Sequence, residues 1–96
     1  MNEQITVNSF AETLTEALEE LPQTQKDVAR ATGIPEPHLS GMKKGTRRIT
    51  PEYDLRLSRY FGTSDGFWLR LQISSDLRAT KQKSGAKILR EVQPAA

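Results

Sequence analysis

The sequence predicts an all-α domain of five helices with a short C-terminal extension. Apolar residues recur at helical spacing, and capping residues followed by glycine or proline divide the chain into five such segments. The 96 residues are enough for one small domain. We therefore expect a flexible lead over residues 1–8, a folded domain over residues 9–81, and a basic, loosely ordered tail over residues 82–96.

The first two predicted helices have clear start and stop signals. Ser9 begins the first helix and is placed to form a capping box with Glu12, and Pro22 ends this helix. Thr24 caps the second helix, which runs to about residue 32 and ends before Gly33. Because the acids of the first helix fall mainly opposite its apolar residues, we expect them to face the solvent.

The third and fourth predicted helices are delimited in the same way. Proline is tolerated only in the first turn of a helix, so Pro37 places the third helix over residues 36–44, before Gly45. Thr50 caps the fourth helix, which ends at Gly62. The residues of the fourth helix that we expect to face inward are Leu55, Leu57, Ser58 and Phe61.

The fifth predicted helix is capped by Ser64 and extends to about Lys81. The tail beyond it contains Ser84, Gly85 and Pro94, which favour loose order. The apolar residues of the fifth helix are Phe67, Trp68, Leu69 and Leu71.

Composition excludes several classes of function. The chain has no cysteine and one histidine, which excludes disulfides, Cys-ligated zinc, thiol catalysis and a His-only metal site. No nucleophile stands beside a base and no Gly-rich phosphate loop occurs, so we expect no enzyme activity, no metal and no cofactor. The chain also lacks an apolar run long enough to span a bilayer and a secretory signal, which predicts a cytoplasmic protein.

The charges are unevenly placed along the chain. Residues 1–23 carry five acids and no base, whereas residues 24–96 carry the other seven acids and all 14 bases. Such asymmetry indicates two different partners, or one anionic partner that meets one face. The segment between Pro37 and Pro51 contains four basic residues and no acidic one: Lys43, Lys44, Arg47 and Arg48. This segment is either a phosphate-binding patch or a solvated surface loop.

The second and third helices match the spacing of a helix-turn-helix. Two short helices that cross closely need a small residue at the crossing, and a residue that tolerates positive φ in the turn between them. A buried aliphatic residue follows the turn, and two inward residues stand three apart in the next helix. The five positions are filled by Ala29, Gly33, Ile34, Leu39 and Met42. The sequence thus resembles the helix-turn-helix DNA-binding domains. It departs from their pattern at Thr32, where an aliphatic residue is usual. The alternative interpretation is an ordinary helical hairpin.

This resemblance implies that the outward residues at the start of the third helix meet the edges of DNA bases. Glu36 would accept a hydrogen bond from cytosine or act as an acid at the helix start, and Pro37 would touch a thymine methyl group. His38 would donate to a purine or is a plain exposed polar residue. Ser40 completes this set, and Gly41 either permits close approach to DNA or is neutral.

Other residues would contact the DNA backbone. In the family, a glutamine at the start of the second helix binds a phosphate together with the helix amides, and Gln25 occupies that position, with Lys26 beside it. Such contacts position the protein without reading the sequence. The remaining candidates for phosphate contacts are Lys43, Lys44, Thr46, Arg47 and Arg48.

The fourth and fifth helices narrow the resemblance. The segment FGTSDGFWLRLQ, residues 61–72, resembles the corresponding part of HigA-type antitoxins, which are small phage-repressor-like helix-turn-helix proteins of bacterial toxin–antitoxin modules. The family usually has a small uncharged residue where this chain has Asp54. Because helices in this region pack the family's homodimer, the resemblance places Phe67, Trp68 and Leu71 in or near a dimer contact, the alternative for Trp68 being the core.

The resemblance implies a function with two partners. A homodimer would present two third helices about 34 Å apart to an inverted-repeat operator and so repress its own operon. It would also bind a partner toxin, in this family usually a small basic ribonuclease that cuts messenger RNA. The candidate toxin surface consists of Glu12, Glu16, Glu19 and Glu20. The alternative is that these residues form a solvated helix face. A stand-alone repressor without a toxin, and a protein-binding module that has lost DNA binding, are the alternative functions.

Overall fold

The fold consists of five α-helices, as the sequence predicts. A computed structural model describes residues 9–95, and within this range no strand occurs. The predicted lead over residues 1–8 lies outside the described residues. The helices are α1 (Phe10–Glu19), α2 (Gln25–Thr32), α3 (Glu36–Lys44), α4 (Pro51–Phe61) and α5 (Phe67–Glu91).

The first four helices begin where the local signals predict, and α2 to α4 also end there, whereas α1 ends at Glu19, three residues before Pro22. Ser9 and Glu12 form the capping box of α1, in which the Ser9 hydroxyl accepts from the Glu12 amide at 3.1 Å. Thr24 and Asp27 form a second capping box at the start of α2. The hydroxyl of Thr50 accepts from an amide in the first turn of α4. Such caps each stabilise a helix by about 1 kcal/mol, because they satisfy amides that have no partner within the helix.

The core lies where α1 meets α3 and α5, and where α4 packs on α2 and α5. Trp68 is at its centre, 2% exposed, and its ring lies 4.9–6.2 Å from three phenylalanine rings, measured between centroids. Each fully buried side chain of this size contributes about 1.5–3 kcal/mol. The buried apolar residues are Phe10, Leu14, Leu18, Val28, Ile34, Leu39, Met42, Ile49, Leu57 and Trp68.

The inward face of α4 differs from the prediction at one position. Leu55 was expected to face inward but is 52% exposed, whereas Asp54 is 1% exposed. Residues 54, 57, 58 and 61 share one face at helical spacing, and position 55 is rotated about 100° away from position 54. The buried carboxylate of Asp54 accepts from the amides of Gly66, Trp68 and Leu69 at 2.6–3.0 Å.

Asp54 is therefore the N-terminal cap of α5, although it belongs to α4. The residue before α5 is Gly66, which has no side chain to cap the helix. Ser64, the predicted cap, lies two residues too early, and its hydroxyl accepts instead from the Arg70 guanidinium at 3.2 Å. A carboxylate at a helix start satisfies free amides and interacts favourably with the helix dipole, which explains how a charged group is tolerated in the core.

The last helix is longer than predicted. The tail expected to be loosely ordered from residue 82 continues α5 to Glu91. Gly85 costs about 1 kcal/mol in a helix interior, but the lysines, alanines and glutamine around it are good helix formers. One turn apart, the Nζ of Lys87 lies 3.9 Å from a carboxylate oxygen of Glu91, which adds a stabilising ion pair. No helix formed by residues 9–95 is long and apolar enough to cross a membrane.

Candidate nucleic-acid interface

The turn between α2 and α3 has the geometry that the helix-turn-helix spacing requires. Gly33 has φ +76°, which L-residues with a side chain rarely adopt, and its amide donates to the Ala29 carbonyl at 2.9 Å. The next residue, Ile34, is buried in the core. Thr32, which replaces the usual aliphatic residue, is also buried. Its hydroxyl donates to the Val28 carbonyl at 2.8 Å and accepts from the Ile34 amide at 3.3 Å, so no polar group is left unsatisfied there.

Arg56 supports this turn from α4, a role that the sequence analysis missed. Its guanidinium donates to the Thr32 carbonyl at 2.9 Å and is held by Glu52 through two hydrogen bonds of 2.9 and 3.0 Å. A Cβ at Gly33 would lie 2.7 Å from this guanidinium. Glycine is therefore favoured here by its positive φ, and a side chain at this position would also displace the end of the Arg56 side chain.

Three of the five predicted base-contacting residues, Glu36, Pro37 and Ser40, lie together on one side of α3. Pro37 is exposed, while Glu36 and Ser40 are half-buried. With Gln25 at the start of α2 they line a shallow depression of about 220 Å³. Glu36 is in the first turn of α3, where a negative charge is favourable, and Pro37 needs no amide partner there.

His38, the fourth of these residues, is held by α4. Its Nδ1 lies 2.6 Å from the Tyr53 hydroxyl, and the two rings are 5.8 Å apart. A hydrogen bond at Nδ1 fixes the plane of the imidazole, which leaves Nε2 as the other polar atom of the ring. Tyr53 is thus a positioning residue for His38 that spacing along the chain did not reveal.

Gly41 is in close contact with the segment of the chain that follows α3. Its carbonyl accepts from the amides of Thr46 and Arg47 at 2.9 and 3.1 Å, and from the Thr46 hydroxyl at 3.2 Å. A Cβ at this position would lie 3.1 Å from Cβ of Arg47. The chain after α3 therefore folds back tightly on α3, which brings Thr46 and Arg47 beside the end of that helix.

The predicted phosphate-contacting residues come from two helices and a loop. The ammonium group of Lys43 donates to the side-chain carbonyl of Gln25 at 2.9 Å, so the end of α3 meets the start of α2. Lys26, Lys44, Thr46 and Arg47 are exposed. This arrangement gathers positive charge and helix N-terminal amides, the groups that bind phosphate.

Arg48, in contrast, already has an anionic partner. Its guanidinium lies 2.7 Å from the carboxylate of Asp76 on α5. The hydrogen bond that Arg48 donates to Asp76, and then the negative charge of Asp76, raise the pKa of Arg48 above its ordinary value. Arg48 and the following residue belong to the basic loop, which we define as residues 45–50.

Gln72 holds the basic loop on α5. Its Oε1 accepts from the Ile49 amide at 2.8 Å, and its Nε2 donates to the Ile49 carbonyl at 3.4 Å. Both residues are buried, and 23 positions separate them. The sequence analysis noted this glutamine only as part of a motif, because nothing local indicates its contact.

The residues predicted for protein partners belong to α5 and to α1 with the residue that follows it. Trp68 is in the core of its own chain, while Phe67 and Leu71 are half-buried beside it. Within the described residues no three His, Asp or Glu side chains gather into a group that could hold a metal. The four glutamates predicted to contact a toxin are all exposed on or next to α1: Glu12, Glu16, Glu19 and Glu20.

Three of the solved structures with this fold are antitoxins or antidote proteins. An addiction module antidote protein of the HigA family from Coxiella burnetii is 36% identical, with a TM-score of 0.84 over 91% of this chain and 96% of that one. The antitoxin HigA of Pseudomonas aeruginosa with the higBA promoter is 30% identical, with a TM-score of 0.82 over 93% and 98% of the two chains. The antitoxin GraA in complex with its operator is 28% identical, with a TM-score of 0.85 over 100% and 98%.

The family assignment follows from sequence as well as structure. The Helix-turn-helix family model matches residues 16–68, more than half of the chain. No curated protein is similar enough in sequence to count as a match. The matched segment contains the α2–α3 turn and ends at Trp68. The chain therefore belongs to the helix-turn-helix family, and within it to the HigA-type antitoxins.

Proposed function

We propose that this protein is a sequence-specific DNA-binding antitoxin that represses its own operon as a homodimer and neutralises a partner toxin. The observation that carries the DNA-binding part is the surface formed by the start of α3, the Gln25–Lys43 pair and the basic loop. It combines an exposed helix edge with flanking cations, as major-groove binding requires. The similarity to HigA with its promoter and to GraA with its operator supports the same conclusion.

Titration of DNA with salt tests this surface. The probe is a duplex from upstream of the gene, compared with a scrambled duplex of equal length by fluorescence anisotropy. We expect preferential binding of the upstream duplex and an affinity that falls linearly with salt on a logarithmic scale. Equal binding of both duplexes at every salt concentration would contradict sequence-specific recognition.

His38 is proposed to contribute sequence preference. His38→Ala should reduce the ratio of affinities for upstream and scrambled DNA by roughly tenfold, because a base contact is lost. Tyr53→Phe, which removes only the hydroxyl that holds His38, should lower the same ratio by a smaller factor. If His38→Ala weakens binding to both duplexes equally, His38 does not read the sequence.

The homodimer is proposed to form through exposed apolar residues of α5 that lie beyond Leu71. Trp68 is enclosed in its own chain, whereas exposed apolar residues continue along the same helix, and Leu89 is 79% exposed. A contiguous exposed apolar face marks an interaction surface, and an inverted-repeat operator calls for a second copy as the occupant. Phe67 and Leu71 lie in the first turns of α5, before these exposed residues. The exposed residues are Ile73, Leu77, Ile88 and Leu89 on α5, and Val92 directly after it.

Light scattering after size exclusion tests the dimer. The double variant Leu77→Asp with Leu89→Asp should shift the protein from dimer to monomer while its helical circular dichroism is retained, because charge is placed on an apolar contact. Leu55→Asp is the matched control, since Leu55 is an exposed leucine on α4. A dimer that survives the double variant would place the contact elsewhere.

The acidic end of α1 is the proposed toxin contact. Glu19 and Glu20 are at the C-terminal end of α1, where negative charge is unfavourable for the helix dipole. Their presence is therefore not explained by helix stability, and they complement a small basic ribonuclease. Glu12 also serves the capping box of α1, so it is a weaker candidate for this role.

A growth assay tests the toxin partner. The small reading frame beside this gene is expressed alone and then with this protein in a bacterial host. We expect growth arrest when the neighbour is expressed alone, and normal growth when this protein is co-expressed. The variant with Glu19→Lys and Glu20→Lys should no longer restore growth, whereas the control Asp65→Lys should restore it. If the expressed neighbour causes no arrest, the protein is a stand-alone repressor. Rescue that survives the charge reversal would exclude this surface.

A further inference from the structure

The basic loop is held at both of its ends by polar contacts with different helices. Thr46 and Arg47 donate their amides to the Gly41 carbonyl on α3. At the other end, the side chain of Gln72 pairs with both the amide and the carbonyl of Ile49. Glutamine carries one acceptor and one donor group at the end of its side chain, so it satisfies both backbone groups of a buried residue.

A second contact on α5 is one helical turn beyond Gln72. Asp76 lies 2.7 Å from the Arg48 guanidinium, so α5 holds two consecutive loop residues, Arg48 and Ile49. Of the two contacts, the one made by Gln72 is the stronger constraint. It is buried and acts on the backbone, whereas the ion pair is largely exposed.

We infer that Gln72 is a positioning residue for DNA binding. Its role is to fix the backbone of the basic loop before DNA arrives, with Arg47 beside α3 and Arg48 beside α5. A loop that must be ordered during binding lowers affinity, and a loop that is already ordered avoids that loss. This inference rests on the proposed DNA binding.

The position of Gln72 on α5 adds a consequence for the dimer. The same helix carries the exposed apolar face proposed to contact a second copy. One rigid helix then joins the loop to the dimer contact, so Gln72 also sets where the loop stands relative to the second α3.

The test replaces Gln72 by methionine, which keeps the length of the side chain and removes both hydrogen bonds. Gln72→Met should weaken binding to the upstream duplex about tenfold or more, and should lower the salt slope by about one unit or more as phosphate contacts are lost. The same substitution at Gln82, an exposed glutamine on α5, is the matched control and should change neither quantity.

A background without the two arginines separates positioning from general loss of structure. In Arg47→Ala with Arg48→Ala, Gln72→Met should change DNA affinity less than twofold, because the groups that it positions are absent. An equal factor in both backgrounds would overturn the inference. Gln72→Glu keeps the acceptor for the Ile49 amide, and should bind with intermediate affinity; it serves as the second variant if the methionine variant unfolds.

The outcomes also distinguish this inference from the proposed function. If the unaltered protein binds the upstream duplex and Gln72→Met binds equally well, the positioning role is wrong and the DNA-binding proposal stands. If the unaltered protein binds neither duplex, both are wrong.

Discussion

The α2–α3 half of the domain and the α4–α5 half differ in how the first turns of α2 and α5 are capped. In the first half, the capping box of α2 joins residues three positions apart, and the Gly33 amide bonds within the same turn. In the second half, Asp54 caps a helix from 12 to 15 positions away, and Gln72 holds Ile49 from 23 positions away.

This difference in range has an energetic consequence. The local caps are exposed, and each competes with water, so the loss of one is inexpensive. Asp54 and Gln72 are buried, and removing either leaves backbone groups without a partner inside the protein. We therefore expect the second half to be more sensitive to single polar substitutions, although the first half carries most of the proposed DNA surface.

The largest expected effect tests this expectation directly. Asp54→Ala should reduce the free energy of unfolding by roughly 3 kcal/mol, because three amides at the start of α5 lose a charged acceptor. Thr24→Ala, which removes an exposed local cap, should cost only about 1 kcal/mol. Chemical denaturation of both variants gives the two values. Equal losses would mean that burial of the cap does not matter here.

The short range of the contacts in the first half explains why this part could be predicted. A cap and its partner stand three residues apart, so Ser9 with Glu12 could be identified from spacing alone. The starts of α1 to α4 followed from such signals, and so did the α2–α3 turn through Gly33. The candidate DNA surface is built on this turn, and its residues are proposed from the resemblance that the turn carries.

The long range of the contacts in the second half explains the errors there. A buried Asp54 and an exposed Leu55 reverse the ordinary preferences of the two residue types, and only the proximity of α5 makes the exchange favourable. The pairing of Arg48 with Asp76 likewise depends on how the basic loop meets α5. The extension of α5 to Glu91 was missed because single Ser and Gly residues weaken a helix without ending it.

The basic loop lies between the α2–α3 half and the α4–α5 half, and its two arginines have different surroundings. Arg47 is held by its amide near α3 and has an exposed side chain, whereas Arg48 is paired with Asp76. Arg47→Ala should lower the salt slope of DNA binding by about one unit. Arg48→Ala should lower it by less, because Asp76 already compensates part of the charge.

Anisotropy titrations at several salt concentrations measure both slopes. Arg59→Ala, which removes an exposed arginine on α4 outside the proposed surface, is the control and should leave the slope unchanged. Equal decreases for Arg47→Ala and Arg48→Ala would show that the ion pair opens fully on DNA. In that case the two arginines of the basic loop would act alike in DNA binding. The whole loop would then belong with the α2–α3 half, and the boundary between the two halves would lie where the loop meets α5.

The smallest expected effect concerns a local cap and its dependence on pH. The backbone amide of Thr24, and then its hydroxyl, hydrogen-bond with Asp27 and lower the pKa of this carboxyl below its ordinary value of 3.8. A lowered pKa in the folded state means that the carboxylate stabilises the fold fully above pH 3.8, and that this stabilisation is lost as the pH falls through the folded-state pKa. Asp27→Asn should therefore be less stable than the unaltered protein at neutral pH, and the difference should shrink in acid.

Denaturation curves between neutral pH and about pH 2 measure this difference, on a scale set by the ordinary pKa of aspartate. Lys26→Gln changes the charge of the neighbouring residue by one unit without removing a carboxylate, so the difference between it and the unaltered protein should stay nearly constant over the range. If the Asp27→Asn difference also stays constant below pH 3.8, the carboxylate does not act as the cap in solution. The start of α2 would then depend on the Thr24 hydroxyl alone, and the local half of the domain would be held by even weaker contacts than the structure indicates.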